Sequence, residues 1–284
     1  VGETVRKFLN TLWNTYSFFV TYANLDGYDP KAAPVPLAER DELDRWVLAE
    51  LNGLIREVTH AYETYDVTRC TRPIEAFVDD LSNWYLRRSR RRFWKTDFDA
   101  DKLAAYQTLH ECLSTVAMLL APTMPFLSEA LYRNLVSDQD AAAPESVHLA
   151  MWPTPNAAYD APELVTEMRL VKRLVSLGHA ARNSVDMKVR QPLAEAAFAV
   201  RTANEAAALR RLAYTVGEEL NVKAVTLLEE NSAGQMVRYT LHPLPSKLGK
   251  RLGSRFPAVQ KMLREGDPAF VVPLARQLMA GEVI

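Results

Sequence analysis

The sequence predicts a mainly α fold, an antiparallel helical bundle followed by a small α+β domain. Three observations lead there. From the start of the chain to about residue 136, apolar residues recur at spacings of three and four in five successive stretches, and short polar or proline-bearing breaks separate them. Beyond about residue 192 the period changes, and short stretches rich in β-branched residues alternate with helical ones. With 48% hydrophobic residues in 284, the chain has enough apolar surface for proper cores. Helices joined by short loops bury their apolar faces most directly as a bundle.

The first helix is expected from Gly2 to Leu25, with Val5, Phe8, Leu9, Leu12, Trp13, Tyr16, Phe19 and Val20 on its apolar face. Turn residues end it at Asn24 to Pro30, and Pro30 to Ala38, with three prolines, reads as a loop. The second helix starts near Leu37 and runs to about Tyr65, its periodic side including Leu43, Trp46, Val47, Leu51, Leu54 and Val58. Asp66 fits the cap of the third helix. Pro73 lies early in that pattern; a first turn tolerates proline, and a longer helix would kink there. After a short loop with a capping aspartate (Thr96 to Ala100), the fourth helix spans Asp101 to Leu120. Ala121-Pro122-Thr123-Met124-Pro125 breaks it, and the fifth runs from about Pro125 to Val136. Ser137 to Ser146 reads as a loop and Val147 to Pro153 as extended chain. Pro153, Pro155 and Pro162 mark a linker, so the expected organisation is a bundle over 1–155, a linking region with a long helix over 156–192, and a small α+β domain over 193–284. In that domain Leu193 to Val200 and Val222 to Leu228 read as strands, and Ala203 to Leu220 as a helix. Asn231 to Gly234 reads as a hairpin-like turn, Met236 to Leu241 as a further strand, and the tail from Ser246 as helical.

The third helix carries the most informative stretch, Ser82 to Lys95. Its apolar stripe is Ile74, Phe77, Val78, Leu81 and Tyr85. At about 100° per residue, Arg88 and Arg92 fall on that stripe, whereas Arg87, Arg90, Arg91 and Trp94 centre on the opposite side. The stripe therefore gives out while the helix continues. Charge on most of the circumference excludes a dry core, because an unpaired buried charge costs several kcal/mol, roughly. The planar guanidinium fork suits phosphate and stacks on bases, and Trp84, Tyr85, Phe93 and Trp94 add flat apolar faces. Two readings follow from this composition: a salt-bridged, solvated helix end with its aromatics in the core, or a nucleic-acid contact. The outward set Arg87, Arg90, Arg91 and Trp94, with Lys95 beside it, is the first candidate for RNA contact. Arg88 and Arg92 are expected to pair with acids such as Asp79, Asp80 or those of neighbouring helices. A second basic cluster, Lys247, Lys250, Arg251 and Arg255, is the lesser candidate; a solvated basic face is its alternative, and its Gly-Lys spacing does not fit a phosphate loop.

The totals narrow the classes further. With 34 basic and 35 acidic residues, any nucleic-acid affinity must come from local clustering. Cys70 and Cys112 form no metal or redox motif, and reduced buried thiols fit a cytoplasmic protein. The five histidines form no ligand set, so no metal site is expected, and no nucleophile–base pair stands out. No apolar run reaches bilayer length without charge, and no signal peptide is evident, so no membrane partner is expected. The chain opens on Val1 inside a helical pattern and stops at Ile284 without a polar tail, which reads as a piece of a longer protein.

Several of these stretches resemble one family. Leu12-Trp13-Asn14-Thr15-Tyr16-Ser17-Phe18-Phe19 with Tyr22 to Asp26, then Leu43-Asp44-Arg45-Trp46, resemble the first helices after the catalytic domain of isoleucyl-tRNA synthetases. Ser82-Asn83-Trp84-Tyr85-Leu86-Arg87-Arg88-Ser89-Arg90-Arg91-Arg92-Phe93-Trp94 is the most specific match; valyl and leucyl relatives share its Trp-Tyr without the full arginine run. Leu120 to Glu129 is similar to a signature of the whole class I subgroup, Ser146 to Leu149 with Trp152-Pro153 to the end of the domain, and Lys188-Val189-Arg190-Gln191-Pro192-Leu193 to the opening of the C-terminal extension. The resemblance is close over about the first 155 residues and weaker to about 265. It implies an anticodon-binding bundle with part of the C-terminal region, and as partners isoleucine tRNA and the catalytic domain of the same parent chain. The parent would use ATP and magnesium to join isoleucine to that tRNA. The catalytic signatures of the family are missing here, so no catalytic residue and no cofactor is expected in this stretch. Two alternatives stay open: a strut docking on the catalytic domain, or the same region of a valyl or leucyl relative.

Overall fold

The structure, a computed structural model, describes residue 2 and residues 5–228, 241–265 and 268–279. It is mainly α, and it separates into two compact units, Val1–Met168 and Arg169–Ile284.

In the first unit a π-helical turn, Val5–Leu9, leads into α1, Asn10–Asp26, which Gly27 ends in the left-handed conformation at φ 64°. A short 3-10 turn, Leu37–Glu39, precedes α2, Glu42–Glu63. The second helix therefore starts later than its pattern suggests, because Asp41 caps it: its Oδ1 accepts the Leu43 amide at 2.8 Å. Helix α3, Val67–Asp80, is capped by Asp66, which accepts the Arg69 amide at 3.1 Å; Pro73 lies inside this helix, beyond its first turn. A π-helical turn, Leu81–Leu86, joins α3 to α4, Arg87–Phe93. Helix α5, Ala100–Leu120, begins at the Asp99 cap, whose Oδ1 accepts the Lys102 amide at 2.8 Å. Helix α6, Pro125–Tyr132, continues through a π turn, Arg133–Ser137.

Helix α5 packs against α1, α2, α3, α4 and α6. Its sequence suggests a single apolar face, yet almost every residue from Ala104 to Leu120 is buried, as a helix enclosed by its neighbours requires. Val147–Leu149 is a 3-10 turn, not the expected extended segment. The Glu129 carboxylate accepts both the Ser146 hydroxyl at 2.8 Å and the Val147 amide at 3.0 Å, and Ser146 Oγ accepts the His148 amide, so the chain coils at this point.

Helix α7, Pro162–Ser184, runs from the first unit into the second. The second unit contains β1, Leu193–Phe198, α8, Ala203–Arg211, α9, Ala213–Leu220, and β2, Val222–Leu227. The helix expected over 203–220 divides at Leu212, which is buried and leaves helical geometry at φ −103°. The two strands pair in parallel, Leu193 opposite Val222 and Phe198 opposite Leu227, and α8 and α9 supply the crossover that parallel pairing needs. The hairpin-like turn at 231–234 and most of the strand expected over 236–241 lie outside the described residues. Three helices, α10, Pro245–Leu252, α11, Phe256–Glu265, and α12, Pro268–Met279, form the tail.

Two ionic networks fix the end of the bundle that carries the arginines. Asp44 is fully buried in the first turn of α2. Its two oxygens accept Arg92 Nη1 at 2.8 Å and Nη2 at 2.7 Å, and Oδ1 also accepts the Tyr85 hydroxyl at 2.6 Å. Burial, with the Asp44 charge beside it, drives the Tyr85 phenol far above its ordinary range. In the second network Lys102, 1% exposed, bonds Asp26 Oδ2 at 2.7 Å and donates to the Lys95 carbonyl at 2.7 Å. Tyr106 also donates to Asp26. Burial alone would raise the Asp26 pKa, but the hydrogen bonds from Lys102 and Tyr106 and the Lys102 charge hold it below the usual carboxylate value.

Asp44→Ala takes both carboxylate oxygens from the Arg92 Nη atoms, leaving Asp101 as that arginine's remaining acid, and leaves Tyr85 only the Ala105 carbonyl at 3.3 Å. It should destabilise the first unit by about 3 kcal/mol, whereas Tyr85→Phe, which removes the hydroxyl's bonds to Asp44 and Ala105, should cost about 1 kcal/mol. Urea denaturation of the two variants checks the ordering; equal effects would mean that the carboxylate carries no more than the phenol. The lowered Asp26 pKa gives stability that is fully present above the unfolded value and lost as pH falls through the folded one. Asp26→Asn should therefore be clearly destabilised at pH 7 and approach the unsubstituted chain below about pH 3. A pH-independent difference in urea midpoint would contradict this linkage.

Candidate nucleic-acid interface

The arginine-bearing segment is continuous from α3 to α4, but the π turn between them changes which residues lie inside. In a π turn the backbone bonds reach five residues on, so each face returns later than in an α-helix. The buried positions run Leu81, Tyr85, Leu86, Ser89 and Phe93. The apolar seam consequently does not give out at Tyr85; it narrows and continues under α4. Tyr85 and Phe93, two of the aromatic faces considered for base stacking, belong to the core. Phe93 meets Phe18 edge-on at 5.3 Å and Tyr106 edge-on at 4.9 Å between ring centroids.

The five residues singled out from sequence are all exposed. Arg87 Nε donates to the Asn83 carbonyl at 2.8 Å, which folds its guanidinium along its own helix. Arg90 and Arg91 lie in the last turn, where the helix dipole favours cations. Among the described residues, neither guanidinium has a hydrogen-bonding or ionic partner. Trp94, 56% exposed, donates its indole N–H to the Tyr22 hydroxyl at 2.9 Å. That bond holds the indole by its edge against α1 while more than half of its surface stays accessible.

Lys95 differs from the others. Its ammonium bonds Asp101 at 2.7 Å and Asp99 at 3.1 Å, and these hydrogen bonds, Asp101 first, raise its pKa. Asp101 also meets Arg92 Nε at 2.9 Å. Lys95 is therefore largely neutralised locally, and the open positive charge concentrates on Arg90 and Arg91. Arg92 pairs as expected with acids of neighbouring helices, Asp44 and Asp101. Asp79 does not receive it; that carboxylate accepts Asn83 Nδ2 at 2.6 Å. Of the second cluster, Arg251 lies on α10 and Arg255 in a following 3-10 turn, both exposed, whereas the side chains of Lys247 and Lys250 lie outside the described residues.

Tyr22, Asp26, Asp44 and Lys102 hold this helix end in place, a role the sequence assigns to none of them. Each sits at an ordinary helix position, and only the packing of α1, α2 and α5 brings it to the arginines. Phe98, in the loop between α4 and α5, stacks on Tyr106 at 5.8 Å and 10° and remains partly exposed. Among the described residues no helix is long and apolar enough to cross a membrane.

Comparison with known proteins identifies the family. A family model described as the anticodon-binding domain of tRNA ligase matches residues 44–197. The isoleucine–tRNA ligase of Dehalococcoides mccartyi (strain ATCC BAA-2266) is 52% identical over 229 residues, which is 81% of this chain and 22% of the relative. Those of Deinococcus radiodurans and Thermus thermophilus are 46% and 45% identical, over 99% and 100% of this chain and 25% and 27% of their own lengths. The chain thus spans about a quarter of the curated relatives it matches. With the family model covering more than half of its residues, around an ordered helix end that presents arginine and tryptophan, the chain belongs to the anticodon-binding domain family of tRNA ligases.

Proposed function

We propose that this chain is the tRNA-binding part of an isoleucine–tRNA ligase, and that it recognises the anticodon arm of the isoleucine-accepting tRNA. The observation that carries this reading is the exposed pair Arg90 and Arg91, free of internal partners among the described residues, beside the edge-held indole of Trp94. Guanidinium groups at that position bind phosphates and set orientation, and an anchored indole offers a flat face to an unstacked base. Arg87 extends the cationic face, and Lys95 contributes mainly by fixing the loop through Asp99 and Asp101. Arg251 and Arg255, with Lys247 and Lys250, are a second and weaker candidate surface. The relatives' names support isoleucine rather than another amino acid.

On this reading residues 1–155 form the anticodon-binding bundle, 156–192 the link, and 193–284 a small C-terminal domain. The bond-making chemistry, with ATP and magnesium, belongs to the catalytic domain of the same parent chain, which this stretch docks with and does not replace. Among the described residues, no group of three or more His, Cys, Asp or Glu is gathered to hold a metal ion. Translation places such a ligase in the cytoplasm.

Substituting Arg90 and Arg91 by alanine should weaken tRNA binding and flatten its salt dependence by about 0.7–0.9 in log–log slope for each phosphate that the pair neutralises. Filter binding across a salt series measures both quantities. Unchanged affinity and slope would remove this helix end from the interface.

A further inference from the structure

The loop that links α7 to β1 is built around a buried cation. Arg182, on α7, is 4% exposed and faces four backbone carbonyls. Its Nη1 donates to Lys188 O and Gln191 O, both at 3.1 Å, and its Nη2 to Leu220 O at 2.6 Å and Asn221 O at 3.3 Å. One turn earlier on the same helix, Gly178 allows the approach that this requires: a Cβ there would lie 2.5 Å from the Leu220 side chain. Asn221, left-handed at φ 50°, adds a further clamp by donating Nδ2 to Val189 O at 2.9 Å. Gln191 N closes the turn on Lys188 O at 3.0 Å.

The clamp has a chemical consequence. Three of the four carbonyls in Lys188–Gln191 are drawn inward to Arg182 and Asn221. Among the described residues, the amides of Lys188, Val189 and Arg190 have no acceptor. Lys188 and Arg190 are exposed. Because β1 and β2 are parallel and start in register at Leu193 and Val222, exposed Lys223 enters at the same end of the sheet. Acceptors are thus sequestered while donors and cations remain on offer. The acids at hand are Asp186, which pairs with Lys188 at 2.8 Å, and Glu218 and Glu219 at the end of α9. The side chains of the Asp186–Lys188 pair are 89% and 70% exposed, so it is weak and readily exchanged for a stronger anion. Successive free amides with adjacent cations make an anion-binding surface.

We propose that residues 186–192, clamped by Arg182, are a phosphate-binding loop that contacts the sugar-phosphate backbone of the tRNA, with Arg190 and Lys188 as the contacting side chains and Arg182 as a positioning residue. This rests on the tRNA-binding reading and adds a contact in the second unit, independent of Arg90 and Arg91. A backbone contact carries no base information, so it raises affinity for cognate and non-cognate tRNA alike.

The test is filter binding of the 284-residue chain to isoleucine-accepting tRNA across a salt series, with phosphate ethylation interference on the same RNA. The Lys188→Ala/Arg190→Ala variant should bind several-fold more weakly, lower the log–log salt slope by about one to two, and abolish interference at one or two phosphates. A non-cognate tRNA should be weakened by the same factor. In an Arg182→Lys background, where one ammonium cannot span four carbonyls, the same double substitution should have little further effect on the slope; a purely structural Arg182 would leave that effect intact. Unchanged slope and interference in the loop variant, with binding still sensitive to Arg90→Ala/Arg91→Ala, would overturn this inference alone. No affinity in the unsubstituted chain would overturn both readings.

Discussion

A carboxylate with no access to water and a guanidinium that must reach it set the arrangement of the first unit. Asp44, fully buried, is met by two donors of Arg92 and by the Tyr85 hydroxyl. These bonds fix the start of α2 against the π turn and α4. Once Arg92 is drawn inward, its neighbours Arg90 and Arg91 are placed on the outside of the same helix, where no counter-ion among the described residues meets them. The proposed binding surface is thus the complement of a buried ion pair.

The same logic extends to the neighbouring loop. Lys102 is buried against Asp26 and holds the Lys95 carbonyl, Asp101 bridges Arg92 and Lys95, and Tyr106 joins Asp26 to a cluster of stacked rings. These contacts order the residues around Trp94 before any ligand arrives. A surface that is already ordered loses less conformational entropy on binding, so more of its interaction energy appears as affinity.

The second unit repeats the device with different chemistry. Arg182 is satisfied by four carbonyl dipoles where Arg92 is satisfied by carboxylates. Carbonyls leave the net positive charge in place, whereas the Asp44 and Asp101 pairs cancel it. One buried arginine therefore anchors a neutralised core, and the other keeps its own charge beneath the loop proposed to bind phosphate.

Much of this was legible in the sequence. Spacings of three and four located the helices, Asp66 and the aspartate before the fourth helix marked true caps, and the 100° wheel separated outward Arg87, Arg90, Arg91 and Trp94 from inward Arg88 and Arg92. These are local properties, set by side-chain period and by amides near their own caps. The identity of Arg92's partners, the burial of Lys102 and Phe93, the neutralisation of Lys95 and the clamp of Arg182 were not legible. Most of these depend on residues dozens of positions apart, and a wheel drawn at constant pitch cannot anticipate a π turn that rotates the seam. The sequence by itself determined where the charges sit along each helix; only the tertiary structure decided which were cancelled and which were left facing solvent, because ion pairing depends on distance in space and not along the chain.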